Sequence, residues 1–440
     1  MKKCAFIVIS LFVSFVLGGA RQVAADEVTK WNEIAGKAAV DSSLSPLGPF
    51  GNPFFESRIY AMTHAAIHDA LNAIDRRYRP YAPRERATPG ASPEAAVATA
   101  AHAVLLDQFN RLIDFGYPSQ QASLDSAYAV SLALIPDGAA KTAGIAIGET
   151  AAAAILALRV ADGWDTVTLL DFNYPQGTAP GEYRFTDSFT FAFAPQWGTL
   201  APFVLHNAAQ FRPGHPYAVS GKRYAADFNE VKSLAALNST TRTAEQTEIA
   251  HFWVGSSPLQ WNRITRTVSA ATPGLTLWQN AQLFGLLNFA LADGYIAMSN
   301  VKYHYNRWRP VTAIHEAATD GNADTSADPT WRSLVDCPPD PEYDSGHSIQ
   351  GGAAAQVLKR FFGTDTVSFS DCSTTLPAGG NCGEASQVNR SFASFSQAAD
   401  ENGLSRILVG FHFRKSVEEG IKHGRKIADH AVNIYLRPAH

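Results

Sequence analysis

Six prolines, at positions 175, 180, 195, 202, 213 and 216, fall between Asp171 and Tyr217. Inside a helix, proline removes a hydrogen bond and clashes with the preceding turn, so no helix runs through this stretch. On either side, apolar residues recur at helical spacing. The chain is therefore expected to form two helical halves joined by a long ordered connection. A connection of that length in a compact protein is commonly functional, here as a wall or lid of a pocket.

The helical segments can be read individually. Arg58 to Ile74 carries apolar residues at helical spacing, with His64 and His68 one turn apart. Glu94 to Ile113 follows Pro93, a favourable first helical residue, and Ser119 to Leu134 has the same character. Ala139 to Val160 is alanine-rich and closes at Asp162-Gly163. Helical pattern resumes at Thr243. Leu275 to Tyr305 reads as one long buried helix, Ser348 to Phe362 as another, and Glu401 to Leu436 as one or two more. Strand-type alternation is weak outside Tyr183 to Phe193. The predicted class is all-α, built from helical bundles with a Pro-rich connection. The predicted organisation is a single domain over 26–440, with N-terminal helices over 26–170, the connection over 171–217 and a C-terminal bundle over 218–440.

Residues 1–25 have the three parts of an export signal. Lys2 and Lys3 are followed by an apolar run from Ala5 to Leu17, then by small residues Val23-Ala24-Ala25 before Asp26. The run is short for a membrane anchor, so a secreted or periplasmic protein without a stable membrane anchor is expected. The whole chain has 36 basic and 40 acidic residues and a net charge of −4. Cleavage would take this to about −7. With no basic run or interleaved aromatic patch, nucleic acid is not an expected partner. Cleavage leaves Cys337, Cys372 and Cys382. Cys372 and Cys382 flank a Ser/Thr/Pro/Gly-rich stretch and form the natural pair, although spacing does not fix the pairing.

Three motifs in the C-terminal half carry chemistry. Lys302 and Arg309 are separated by close to two helical turns, so both cations can point to one side, with Pro310 stopping or kinking the helix. Alone, they fit a solvated basic face. Ser345-Gly346-His347 precedes a helical run, whose first N–H groups suit an anion. Gly346 allows close approach, Ser345 offers a hydroxyl, and His347 can pass protons at the rim. Alone, this is also an ordinary helix cap. In Ser405 to His412, Arg406 provides a third cation, Gly410 provides room and His412 a bonding nitrogen. A histidine satisfied in the core is the plainer reading of that motif. Together the three motifs suit a tetrahedral oxyanion of charge about −2 to −3.

The order and spacing of Lys302-…-Arg309-Pro310, Ser345-Gly346-His347 and Arg406-…-His412 resemble the shared signature of vanadium-dependent haloperoxidases and type 2 phosphatidic acid phosphatases. The text around Lys302-Tyr303-His304-Tyr305 and Pro341-Glu342-Tyr343 is similar to the bacterial secreted haloperoxidase-like branch. So are Arg58 to Ala73 and Pro195 to Phe203. The resemblance implies the helical-bundle fold of the vanadium chloroperoxidase/acid phosphatase type, with vanadate as cofactor in a site that phosphate also fits. It further implies that Lys302, Arg309 and Arg406 hold oxyanion oxygens, that Ser345 and Gly346 add hydrogen bonds, that His347 is the acid–base group, and that His412 ligates vanadium. The implied partners are hydrogen peroxide and halide. In the alternative, a non-specific acid phosphatase, His412 attacks phosphorus and a phosphate ester is the substrate. A non-catalytic oxyanion-binding protein is the third reading. Homo-oligomerisation stays open.

Two positions depart from the family pattern. Ser416 stands where an Asp usually orients the last His, which tilts the reading toward peroxidase, and Glu419 is a candidate substitute. Asp344 stands where Pro commonly precedes Ser-Gly-His. It is expected either to pair with Arg307 or to face outward. His64 and His68 are expected to serve helix packing rather than metal binding. Asp293 is a further candidate for orienting a cation.

Overall fold

The structure is a computed structural model, and it describes residues 26–43, 51–82, 90–186 and 188–439. The export signal expected over 1–25 lies outside the described residues. The N-terminal half holds α1 (Glu27–Asp41), α2 (Pro53–Ile74), α3 (Pro93–Leu112), α4 (Gln121–Ala133) and α5 (Ala139–Arg159). The connection contains only β1 (Leu170–Asp171), β2 (Ala192–Phe193) and a 3₁₀ turn over Pro195–Thr199. The C-terminal half holds α6 (Lys222–Leu234), α7 (Ala244–Phe252), α8 (Ser257–Ala270), α9 (Leu277–Tyr305), α10 (Pro310–His315) and α11 (Gly346–Phe362). The hairpin of β3 (Phe369–Cys372) and β4 (Asn389–Phe392), then α12 (Phe395–Leu408) and α13 (Arg414–Ile434), complete it. The fold is the all-α bundle that the periodicity predicts.

Helix α9 is the axis of the molecule. It starts with a capping box, in which Thr276 accepts from the Gln279 amide and Gln279 reaches back to the Thr276 N–H. Almost every residue from Asn280 to Met298 is buried, which is why its sequence is apolar all round rather than on one stripe. It packs on α2 from the first half and on α11 and α13 from the second. Helices α11 and α13 cross at two glycines. A Cβ at Gly424 would overlap the Ile349 carbonyl and lie 2.7 Å from Ala353 N, and a Cβ at Gly352 would lie 2.9 Å from Ile421 Cα. Backbone-to-backbone contact at both points leaves no room for a side chain, and this fixes where the N-terminus of α11 sits.

The connection is clamped to that axis. Asp293 on α9 accepts backbone N–H groups from Phe203, Val204 and Leu205 at 2.6–2.8 Å. Burial pushes its carboxyl up to about 6 against the pull of those three donors. Asp293 therefore secures the connection and does not orient a cation. The strand expected over Tyr183–Phe193 is reduced to Ala192–Phe193, paired antiparallel with Leu170–Asp171. Tyr183 N instead donates to Asn306 O at 2.8 Å, and Trp308 N donates to Gly181 O at 3.1 Å. The backbone that could have extended the strand is engaged by the turn after α9.

Cys372 and Cys382 form a disulfide next to the β3–β4 hairpin, and Cys337 is free and buried. His64 and His68 are fully buried. Asn32 Nδ2 donates to His64 Nε2 at 2.8 Å, and the His64 ring stacks on Phe284. Among the described residues no group of three or more His, Cys, Asp or Glu is placed to hold a metal ion.

Candidate oxyanion site

Lys302 is on the last turn of α9. The helix ends at Tyr305, and Asn306 takes a left-handed conformation (φ 48°) that turns the chain back. Arg309 thus lies outside the helix and caps α10, with Pro310 at its first position. The expected two-turn helical spacing is not how the cations meet: a reversal after α9 brings them together.

The second motif forms the N-terminus of α11, with Ser345 as N-cap. Gly346 has a demand of its own, since a Cβ there would overlap Met298 Sδ. The third motif straddles the break between α12 and α13. Gly410 (φ 91°) makes that break, and a Cβ there would meet Ser333 Cβ at 2.7 Å. Its role is the turn, not room for an anion.

Lys302, Arg309, Gly346, His347, Arg406 and His412 line one cavity of about 340 Å³. Ser345 sits behind this lining, buried, its hydroxyl accepting from Ser348 Oγ at 2.8 Å. Phe54, Phe189, Phe191, Phe193, Tyr117 and Met298 form the apolar part of the wall. Three of these phenylalanines come from the connection, which serves as a wall, as its length suggested.

The polar groups are tightly tied. Arg309 donates from Nε to Asp340 O at 2.7 Å and from Nη1 to Phe411 O at 2.8 Å, and its Nη2 pairs with the Asp340 carboxylate. Lys302 Nζ donates to the carbonyls of Pro341 and Glu342 and lies 3.5 Å from Asp340 Oδ1. Arg406 donates from Nε to Ser405 Oγ at 3.1 Å and from Nη2 to Trp253 O at 2.9 Å. Burial pushes the Lys302 ammonium down, opposed by Asp340. It also lowers the Arg406 guanidinium, which remains a cation at neutral pH.

His412 Nδ1 lies 3.1 Å from Glu342 Oε1. The same oxygen accepts from Phe413 N at 2.9 Å, and Oε2 accepts from Ser416 Oγ at 2.8 Å. A carboxylate partner makes Nδ1 the protonated nitrogen. Arg309 Nη1, which can only donate, lies 3.2 Å from Nε2 and so faces a lone pair. His347 Nε2 lies 3.0 Å from the Gly255 carbonyl, which can only accept, so Nδ1 carries the lone pair. Burial first, then the surrounding cations, hold both imidazoles well below their usual pKa. Both are neutral at neutral pH.

Three expectations are corrected here. Glu419 does not reach His412; it accepts from Lys415 and Lys422 at 3.0 and 3.1 Å. Asp344 neither pairs with Arg307 nor faces outward. It is fully buried and lies 2.9 Å from His423 Nδ1. The three cations are also not unopposed, as the motifs alone suggested, because Asp340 and Glu342 bring carboxyl groups to the same site, Glu342 with its pKa pushed up to about 7 by burial. Both sit in the run Asp340-Pro341-Glu342 just before the Ser-Gly-His motif. Nothing in the spacing indicates which of them would reach His412.

Residues 282–440 match the family model of the VCPO second helical-bundle domain. The match contains all three motifs and the whole cation set. Vanadium chloroperoxidase of Curvularia inaequalis is 24% identical over an alignment covering 83% of this chain and 75% of that protein. A bacterial vanadium-dependent iodoperoxidase structure superposes with a TM-score of 0.76 at 24% identity, covering 94% of this chain and 98% of the other. A holo-type bacterial vanadium-dependent chloroperoxidase superposes at 0.72 and 16% identity, with the same coverage. Over the superposed 94% the chain thus has the vanadium haloperoxidase fold, including N-terminal helices that the family model does not reach.

Proposed function

We propose that this chain is a vanadium-dependent haloperoxidase, oxidising halide with hydrogen peroxide at a vanadate held by His412. The observation that carries the reading is the His412 tautomer. Glu342 accepts a hydrogen bond from Nδ1–H, so the Nε2 lone pair is directed to the cavity side where Lys302, Arg309 and Arg406 converge. A neutral imidazole with a carboxylate behind it is the donor a metal oxyanion needs. Lys302, Arg309, Arg406 and the N-terminal amides of α11 would hold the oxygens. Bound vanadate supplies a Lewis acid that polarises peroxide oxygen toward halide without changing oxidation state.

The protein's own part is binding, orientation and proton handling. His347 has a free Nδ1 lone pair beside the cations and can take a proton from an incoming hydroxyl, then return it. The phenylalanine wall lowers the local dielectric, which strengthens each charge interaction inside. The N-terminal pattern and the Cys372–Cys382 disulfide both accord with a site of action outside the cytoplasm.

Ser416 does not separate peroxidase from phosphatase, because Glu342 supplies the carboxyl group that Ser416 lacks, with burial pushing that carboxyl up to about 7. The likeness to vanadium haloperoxidases favours peroxidase. The test is vanadate titration of the metal-free mature protein while following peroxide- and bromide-dependent bromination of a dye. Saturable activity tracking vanadate is expected. Hydrolysis of p-nitrophenyl phosphate without bromination would instead assign a phosphatase. Vanadate binding with neither turnover would assign a non-catalytic oxyanion-binding protein.

A further inference from the structure

Asp340 is a carboxylate inside a site otherwise built for an anion. It lines the cavity, and its side chain pairs with both Arg309 and Lys302. Its main chain is held as well, with its carbonyl accepting from Arg309 Nε at 2.7 Å and its N–H donating to Pro338 O at 3.0 Å. The carboxylate therefore cannot leave the site without losing the contacts that place Arg309. Any oxyanion gripped by these two cations has Asp340 as an immediate neighbour.

That neighbour accepts hydrogen bonds and cannot donate them while ionised. A fully deprotonated oxyanion presents only lone pairs to it, and like charges at this range repel in a buried setting. A protonated oxyanion can turn its O–H to the carboxylate and replace repulsion with a charge-assisted hydrogen bond. The site's charge points the same way. Of the three cations Lys302, Arg309 and Arg406, Asp340 offsets one, and Glu342 stands behind His412. The remaining surplus suits an anion that keeps a proton.

We infer that Asp340 makes this a proton-requiring oxyanion site, selecting oxyanions that carry an O–H, such as phosphate and vanadate at neutral pH, and excluding sulfate. The inference rests on the oxyanion-site reading above and adds a selectivity residue to it. Asp340 acts here through a direct hydrogen bond from the ligand, in addition to positioning Arg309.

The test is isothermal titration calorimetry of the metal-free protein with inorganic phosphate and with sulfate, for wild type and Asp340→Asn. Wild type is expected to bind phosphate at least tenfold more tightly than sulfate. Asp340→Asn is expected to gain sulfate affinity at least tenfold and to lose the preference. If the variant weakens both anions equally, with their ratio unchanged, Asp340 is only a support for Arg309 and the inference is overturned while the oxyanion site survives. Sulfate binding as tightly as phosphate in wild type overturns it without any variant. If wild type binds neither phosphate nor vanadate, the oxyanion site itself falls. Should Asp340→Asn fail to fold, Asp340→Ser removes the same charge in a smaller side chain and carries the same comparison.

Discussion

Glu342 Oε1 lies 3.1 Å from His412 Nδ1, across 70 residues of chain, and its other oxygen holds Ser416 Oγ at 2.8 Å. Ser416 is thus not a vacancy in the histidine's support. It orients the carboxylate that supports it. Replacing Glu342 by Gln keeps the shape and removes the charge. Vanadate affinity is expected to fall roughly 10- to 100-fold. Ser416→Asp alone should also weaken binding, since it sets a second carboxylate against Glu342. The double variant Glu342→Ala/Ser416→Asp should recover part of the loss. Vanadate titrations on the three variants decide this, and a double variant no better than Glu342→Gln would mean that the position of the carboxylate matters as much as its charge.

His412→Ala removes the ligating nitrogen but leaves three cations in the cavity. Bromination is expected to be lost, while phosphate binding falls by a smaller factor because Lys302, Arg309 and Arg406 persist. Retained bromination would reject the assignment of His412.

Burial pushes His64 down to about 3, with Arg266 adding to the effect. The sign follows from the unfolded value of about 6.5. The unfolded chain takes a proton below pH 6.5 and the native chain does not, so stability is full above that pH and declines toward pH 3. At pH 5 the loss from His64 is about 2 kcal/mol. Urea unfolding at pH 7.5 and pH 5 measures it, and His64→Gln should show a smaller difference between the two conditions. An unchanged difference would show that another group governs the acid transition.

Gly424→Ala places a methyl against the backbone of α11, which cannot move away as a flexible side chain could. A cost of about 3 kcal/mol is expected from overpacking. Because the same contact seats the N-terminus of α11, phosphate binding should weaken with it. Calorimetric unfolding together with phosphate titration tests both effects. Loss of stability at unchanged affinity would uncouple the helix crossing from the site.

Removing the Cys372–Cys382 bond, which closes a loop of sequence separation 10, should cost about 3 kcal/mol through unfolded-state entropy. None of the cavity residues lies in that loop. The double serine variant should unfold earlier and brominate normally once folded.

The sequence by itself determined most of the long helices and the inventory of the site, but it did not mark α1, α6 or α10. Apolar periodicity depends on local geometry, and it located α2 to α5, α9 and α11 to within a few residues. The Pro-rich run marked the connection for the same local reason. The sequence also supplied all three cations and both histidines in order, because their spacing within each motif is short. Tertiary structure decided what those residues do to one another. Arg309 reaches Lys302 through a reversal after Tyr305, Glu342 rather than Glu419 supports His412, and Asp344 meets His423. Asp340 enters the anion site without any sequence signal that it would. Each of these depends on where α9, α11 and α13 pack, and the α11–α13 crossing is set by backbone contact at glycines far apart in the chain. A periodicity argument contains no term for such contacts.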